Sequence, residues 1–236
     1  MERPWWILVG GRRRLGAALA EDLARDHRLV LTSSRSWEGD PWLAELGKRT
    51  EVQGLHWDAH DPEVGSRIMA DLDTLAGRGL SLSGAVLLAG DFPEMPFGSW
   101  TSGALEATWR LNLGFPALAA QALGPRLQAG SALQFVLDAA IHRPFLKRLP
   151  YSAAKAGQAA LVPGLARVLA PAVRVVGHAP GTLLPDEADQ AQTLAERSLL
   201  KRNGGPEDLA RAVRYAAASP HLTGEILTLD GGWRWA

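Results

Sequence analysis

Seven short apolar runs recur along the chain, each separated from the next by a longer segment: WWILV (5–9), LVLT (29–32), VQGLHW (52–57), AVLL (85–88), ALQFVL (132–137), VRVVGH (173–178) and EILTL (225–229). Runs of strand length alternating with segments of helical period are what βαβ units require. Strands apolar on both faces belong in a parallel sheet covered by helices on either side. The expected helices are 15–26, 41–48, 62–76, 100–123, 151–170 and 206–218. The last opens on Pro206 with Glu207 and Asp208 in its first turn. Pro163 inside 151–170 should kink that helix, because proline removes an intrahelical bond. The fold class expected is α/β, a doubly wound parallel sheet of about seven strands, in one domain spanning 1–236.

Composition narrows the partners. Twenty-five Lys and Arg balance twenty-five Asp and Glu, so no chain-wide field exists to hold nucleic acid or an anionic membrane. A small molecule or another copy of the chain is the expected partner. The absence of cysteine removes thiolate catalysis and Cys-ligated metals, and the six histidines are scattered, so no metal site is expected. Six consecutive apolar residues before the arginine cluster are too few for a signal or membrane segment, and a cytoplasmic protein is the expectation.

In a doubly wound sheet, ligands sit at the carboxyl ends of the strands, so the residues just after each run are where chemistry belongs. After the first run comes VGGRRRLG (9–16), a Rossmann-type turn in which Gly10, Gly11 and Gly16 let backbone N–H groups approach a pyrophosphate. One or more of Arg12, Arg13 and Arg14 could pair the ligand anion. The second run ends LTSSRS (31–36), with no acid to hold a ribose 2′-hydroxyl. Arg35 and Ser36 suit a 2′-phosphate, which favours NADP(H) over NAD. After the fifth run stands Asp138, and thirteen residues later Tyr151 with Lys155 one helical turn on. An ammonium nearby is expected to lower a tyrosine pKa that is roughly 10 when unperturbed, fitting Tyr151 for proton transfer.

With these motifs, WRLN (Asn112), APG (179–181) and TGEILTLDGG (223–232) in view, the chain resembles the short-chain dehydrogenase/reductase family over nearly its full length. More narrowly it is similar to the pteridine reductases. Like them it has Arg14 where the middle glycine of the turn is usual, Asp138 where a serine is usual, and Arg35-Ser36 after the second run. The resemblance implies an NADPH-dependent reductase acting on a C=N bond of a pterin, in a homotetramer or dimer. It implies Asp138, Tyr151, Lys155 and Asn112 as catalytic residues. It places NADP(H) against Gly10, Arg12, Arg13, Arg14, Leu15, Arg35, Ser36, Asp58, Leu88, Ala89, Gly90, Tyr151, Lys155, Pro180 and Gly181. The pterin would lie against Arg14, Phe92, Asp138 and Tyr151, with 182–205 as a substrate lid.

LLAG (87–90) departs from the family's NNAG: Leu87 and Leu88 replace two asparagines that brace sheet and cofactor, and apolar repacking is expected there. A carbonyl or 3-oxoacyl reductase, or a non-catalytic NADP-binding homologue, stands as the alternative. Trp233 and Trp235 are read as core or subunit-interface residues.

Overall fold

The computed structural model describes residues 2–184 and 193–236. All seven apolar runs are strands of one sheet: β1 (Trp5–Val9), β2 (Arg28–Ser33), β3 (Val52–His56), β4 (Leu82–Leu87), β5 (Leu127–Val136), β6 (Arg174–Pro180) and β7 (Ile226–Leu229). Every neighbouring pair is parallel, in the order β3-β2-β1-β4-β5-β6-β7. The order reverses between β1 and β4, so a crevice opens at the carboxyl ends of those two strands.

The helices are α1 (Leu15–Leu23), α2 (Pro41–Gly47), α3 (Val64–Gly77), α4 (Ser102–Trp109), α5 (Phe115–Leu123), α6 (Leu149–Leu169) and α7 (Pro206–Ala218). They divide between the two faces because successive strand side chains point to opposite sides. Trp5, Ile7 and Val9 of β1 pack with Leu72 of α3, Phe115 of α5 and Val162 of α6. Trp6 and Leu8 pack with Leu19 and Leu23 of α1 and with Leu209 and Val213 of α7. Every residue of β1 is buried, which is why that run carries no polar residue.

One helical expectation changes. The segment 100–123 is not one helix: α4 and α5 are separated by a π-turn at Arg110–Gly114, where the N–H of Phe115 reaches back to the carbonyl of Arg110. Pro116, four residues after Asn112, has no N–H to close an α-helical bond there. The Asn112 carbonyl instead accepts from the side chain of Gln158 on α6. The helix α6 runs unbroken through Pro163, which lies on an exposed face.

A polar pair lies inside the sheet. His178 of β6 is fully buried, with Nε2 2.7 Å from Gln134 Oε1 of β5, and the Gln134 amide donates to the carbonyl of Val213 at 3.3 Å. Burial pushes the His178 imidazole down to about 4.

Among the described residues, no helix is long and apolar enough to cross a membrane. No group of three or more His, Cys, Asp and Glu among them could hold a metal ion.

Candidate active site

A cleft of about 1730 Å³ runs along the carboxyl ends of the strands. At one end stands the glycine turn. Gly10 has φ +91°, and a Cβ there would lie 2.7 Å from the backbone N of Ala89, so only glycine lets the first turn touch the segment after β4. A Cβ on Gly16 would lie 2.2 Å from the carbonyl oxygen of Gly10, which closes the start of α1 against the turn.

Arg14 is the N-cap of α1 with φ +53°, a positive-φ conformation that favours glycine. Its Nη2 donates to the Leu184 carbonyl at 2.9 Å, reaching across the cleft. No side chain caps α1, so its first-turn N–H groups suit an anion brought from outside.

The turn is fastened to the end of β2. Gly10 N–H donates to Thr32 Oγ1 at 3.2 Å and Gly11 N–H to the Thr32 carbonyl at 3.1 Å. Arg12 is committed to the same region: it donates to the Ser36 carbonyl at 2.6 Å, pairs with Asp40 and lies 4.9 Å above the Trp37 ring. Gly10, the three arginines, Leu15, Asp58, Leu88, Ala89, Gly90, Pro180 and Gly181 all line the cleft. Arg35 and Ser36 are exposed just past β2, outside that lining. Leu87 is buried in the core and Leu88 packs on the opposite cluster, the apolar repacking expected from LLAG.

Deeper in the cleft, Tyr151, Lys155 and Gln158 share the buried face of α6. The Tyr151 hydroxyl donates to Asp138 Oδ2 at 2.7 Å, and Ala140 N–H donates to Asp138 Oδ1 at 2.8 Å. Lys155 does not bond the tyrosine: its Nζ donates to the Val136 carbonyl at 3.0 Å and lies 5.9 Å from the Tyr151 ring centroid.

The expected lowering of the tyrosine pKa is therefore corrected. Burial, then the Asp138 charge and its hydrogen bond, hold Tyr151 well above the usual phenol range. Burial pushes Asp138 above the usual carboxylate range, opposed by the Ala140 N–H, the Tyr151 hydroxyl and Lys155. Burial lowers Lys155 to about 8, and Asp138 and Asp91 work against it. The pair Asp138–Tyr151 thus holds a transferable proton, with an ammonium close by to set the field.

Asn112 is fully buried in the π-turn and faces Asp91, which belongs to none of the sequence motifs. The Asn112 amide donates to Asp91 Oδ1 at 2.6 Å and to the Thr108 carbonyl at 3.1 Å, while Asp91 N–H returns a bond to Asn112 Oδ1 at 3.2 Å. Asp91 is findable from sequence by the strand-end rule, since it closes the segment after β4.

The aromatic corner was less legible. Phe92 sits edge-on to Tyr151 at 4.8 Å and to Phe145 at 5.4 Å, and Phe145 packs on Trp233 at 5.4 Å. Trp233 thus lines the cleft, and Trp235 is 72% exposed, so neither is a core residue. On the far wall, Thr182, Leu183, Leu194 and Arg197 are cleft residues. Residues 185–192 of the expected lid lie outside the described residues.

A family model described as enoyl-(acyl carrier protein) reductase matches residues 10–234. The chain belongs to the short-chain dehydrogenase/reductase family. It is 26% identical to the dihydromonapterin reductase of Klebsiella pneumoniae, over 96% of this chain and 95% of that one. It is 30% identical to the proposed ketoacyl reductase 2 of the granaticin polyketide synthase from Streptomyces violaceoruber, over 98% and 96%. Among solved structures, a dehydrogenase/reductase from Sinorhizobium meliloti superposes with TM-score 0.88 at 26% identity, covering 99% of this chain and 96% of that one. A blue fluorescent protein from a metagenomic library, solved with NADPH, superposes with TM-score 0.87 at 22% identity, over 98% and 97%. As a member of this family the protein is an oxidoreductase that binds a nicotinamide cofactor.

Proposed function

We propose that the protein is an NADPH-dependent pterin reductase that adds hydride to a C=N bond of a dihydropterin of the monapterin, biopterin or folate type. The observation that carries this reading is the 2.7 Å hydrogen bond from Tyr151 to Asp138. Hydride addition to C=N leaves charge on nitrogen, which demands a proton. A carboxyl group bonded to a phenol delivers one, whereas a serine hydroxyl serves chiefly to stabilise an oxyanion. The likeness to dihydromonapterin reductases supports the same substrate class.

The cofactor fits the cleft by its own features: an uncapped helix start beside a turn where Gly10 and Gly16 leave no room for a Cβ. NADPH, when bound, supplies the hydride. Gly10, Arg12, Arg13, Arg14, Leu15, Asp58, Leu88, Ala89, Gly90, Pro180 and Gly181 would hold it, with Arg35 and Ser36 toward the 2′-phosphate. Lys155 keeps a positive charge beside the reacting groups, and Asn112, braced by Asp91, fixes the π-turn against α6. Phe92 and Arg14 would bound the pterin slot, and 182–205 would close over it. A single domain, a homotetramer or dimer, and a cytoplasmic location complete the reading.

A carbonyl or 3-oxoacyl reductase is the second reading, favoured by the 30% identity to a proposed ketoacyl reductase. NADPH oxidation measured with 7,8-dihydromonapterin, 7,8-dihydrobiopterin, dihydrofolate and ethyl acetoacetate separates the two. Turnover of the keto ester alone would reject the pterin reading. No turnover of any, with Tyr151→Phe indistinguishable from wild type, would favour a non-catalytic homologue.

A further inference from the structure

Between β4 and α4 the chain from Leu88 to Thr101 has no regular secondary structure, yet it carries Phe92 to within 4.8 Å of the Tyr151 ring. Phe92 is 48% exposed, and its own burial is too small to fix it. What restrains it comes from the start of α6. Arg148, three residues before Tyr151, donates through Nη1 to the Phe92 carbonyl and through Nη2 to Glu94 Oε1 at 3.0 Å. Its guanidinium also lies 4.0 Å over the Phe92 ring. Next to it, Met95 N–H donates to the Lys147 carbonyl at 2.8 Å. One planar cation thus holds the backbone, the ring and the acid of a single loop, a combination that the point charge of lysine cannot reproduce.

We propose that Arg148 is a positioning residue that fixes Phe92 to the catalytic helix and so makes the site selective for flat, fused-ring substrates over small acyclic carbonyls. The selectivity clause rests on the pterin reading given above; the fastening of the loop does not. Arg148 acts through Phe92, because the contacts of its guanidinium among the described residues are with the loop and not with Asp138 or Lys155. Its charge also favours ionisation of Tyr151, against Asp138 and Asp91.

The test compares wild type, Arg148→Met, Arg148→Lys, Phe92→Leu and the Arg148→Met/Phe92→Leu double variant. Amide hydrogen exchange over residues 91–97 reads the fastening without any substrate. Faster exchange in Arg148→Met is expected, with Arg148→Lys intermediate, and unchanged exchange overturns the proposal. Steady-state kinetics with NADPH then read selectivity. Arg148→Met should raise KM for 7,8-dihydrobiopterin about tenfold, the size of one charge-assisted hydrogen bond, with kcat little changed. KM for ethyl acetoacetate should stay near wild type, and in the Phe92→Leu background the same substitution should add little. Equal losses on both substrates, or effects that simply add, overturn the selectivity clause. A wild-type protein that turns over only the keto ester removes the pterin reading and that clause with it, and exchange alone then decides whether Arg148 fastens the loop.

Discussion

Tyr151 spends its hydroxyl hydrogen on Asp138 Oδ2 at 2.7 Å, so phenol and carboxyl are one proton-holding unit at the end of β5 and the start of α6. Replacing either member separates proton delivery from cofactor binding. Asp138→Ala and Tyr151→Phe should each lower kcat for pterin reduction by at least about 100-fold, the usual scale of general acid catalysis. NADPH affinity, read by fluorescence titration, should stay within a few-fold of wild type. Full activity in Asp138→Ala would remove the carboxyl from the mechanism.

Lys155 titrates at about 8, lowered by burial and held up by the carboxylates of Asp138 and Asp91. Activity that needs the ammonium should therefore fall as pH rises through that region, giving kcat/KM an alkaline limb near 8. Asp91→Asn removes a charge that favours the ammonium, so the limb should move to lower pH. A limb that stays in place would show that Asp91 does not act on Lys155.

His178 is buried neutral with a pKa of about 4, below the value of about 6.5 of an unfolded histidine. Between those values the unfolded chain binds a proton that the folded chain refuses, so stability falls as pH drops through the window, by about 3 kcal/mol in all. His178→Gln, which keeps a donor for Gln134, should flatten the slope of denaturation midpoint against pH between 6.5 and 4. An unchanged slope would assign the acid sensitivity to the carboxylates.

Gly16 has no room for a side chain: a Cβ would lie 2.2 Å from the Gly10 carbonyl oxygen, a backbone atom that moves only if the turn moves. Gly16→Ala should destabilise the fold by about 1–3 kcal/mol. It should also weaken NADPH binding more than it alters KM for the pterin, both measurable on the purified protein.

The sheet is legible because burial on both faces forces uninterrupted apolar runs; each run is a strand, the largest difference being β5, which starts at Leu127 rather than Ala132. Asp138 is legible because topology puts it just past a strand, and Tyr151 with Lys155 because their spacing puts them on one helical face, whereas Asp58 enters only through the family resemblance. The π-turn was not, since a single helical period covers 100–123 and only Pro116 hints at the missing bond. Arg148, Phe145 and Trp233 escaped because their roles come from contacts between segments 53 to 88 residues apart, which no local spacing encodes. The sign of the Tyr151 shift is hidden from the sequence for a related reason. Spacing put the two side chains on one face, but the neighbouring carboxylate and dry surroundings decide the sign.

The fastening of the glycine turn to β2 through Thr32, and of Arg12 to Ser36 and Asp40, has a thermodynamic consequence. The two loops that would receive opposite ends of the adenosine half of a dinucleotide are tied to each other by these bonds. Loops tied together in advance would lose less conformational entropy on association, so contacts made there would translate into affinity with smaller loss.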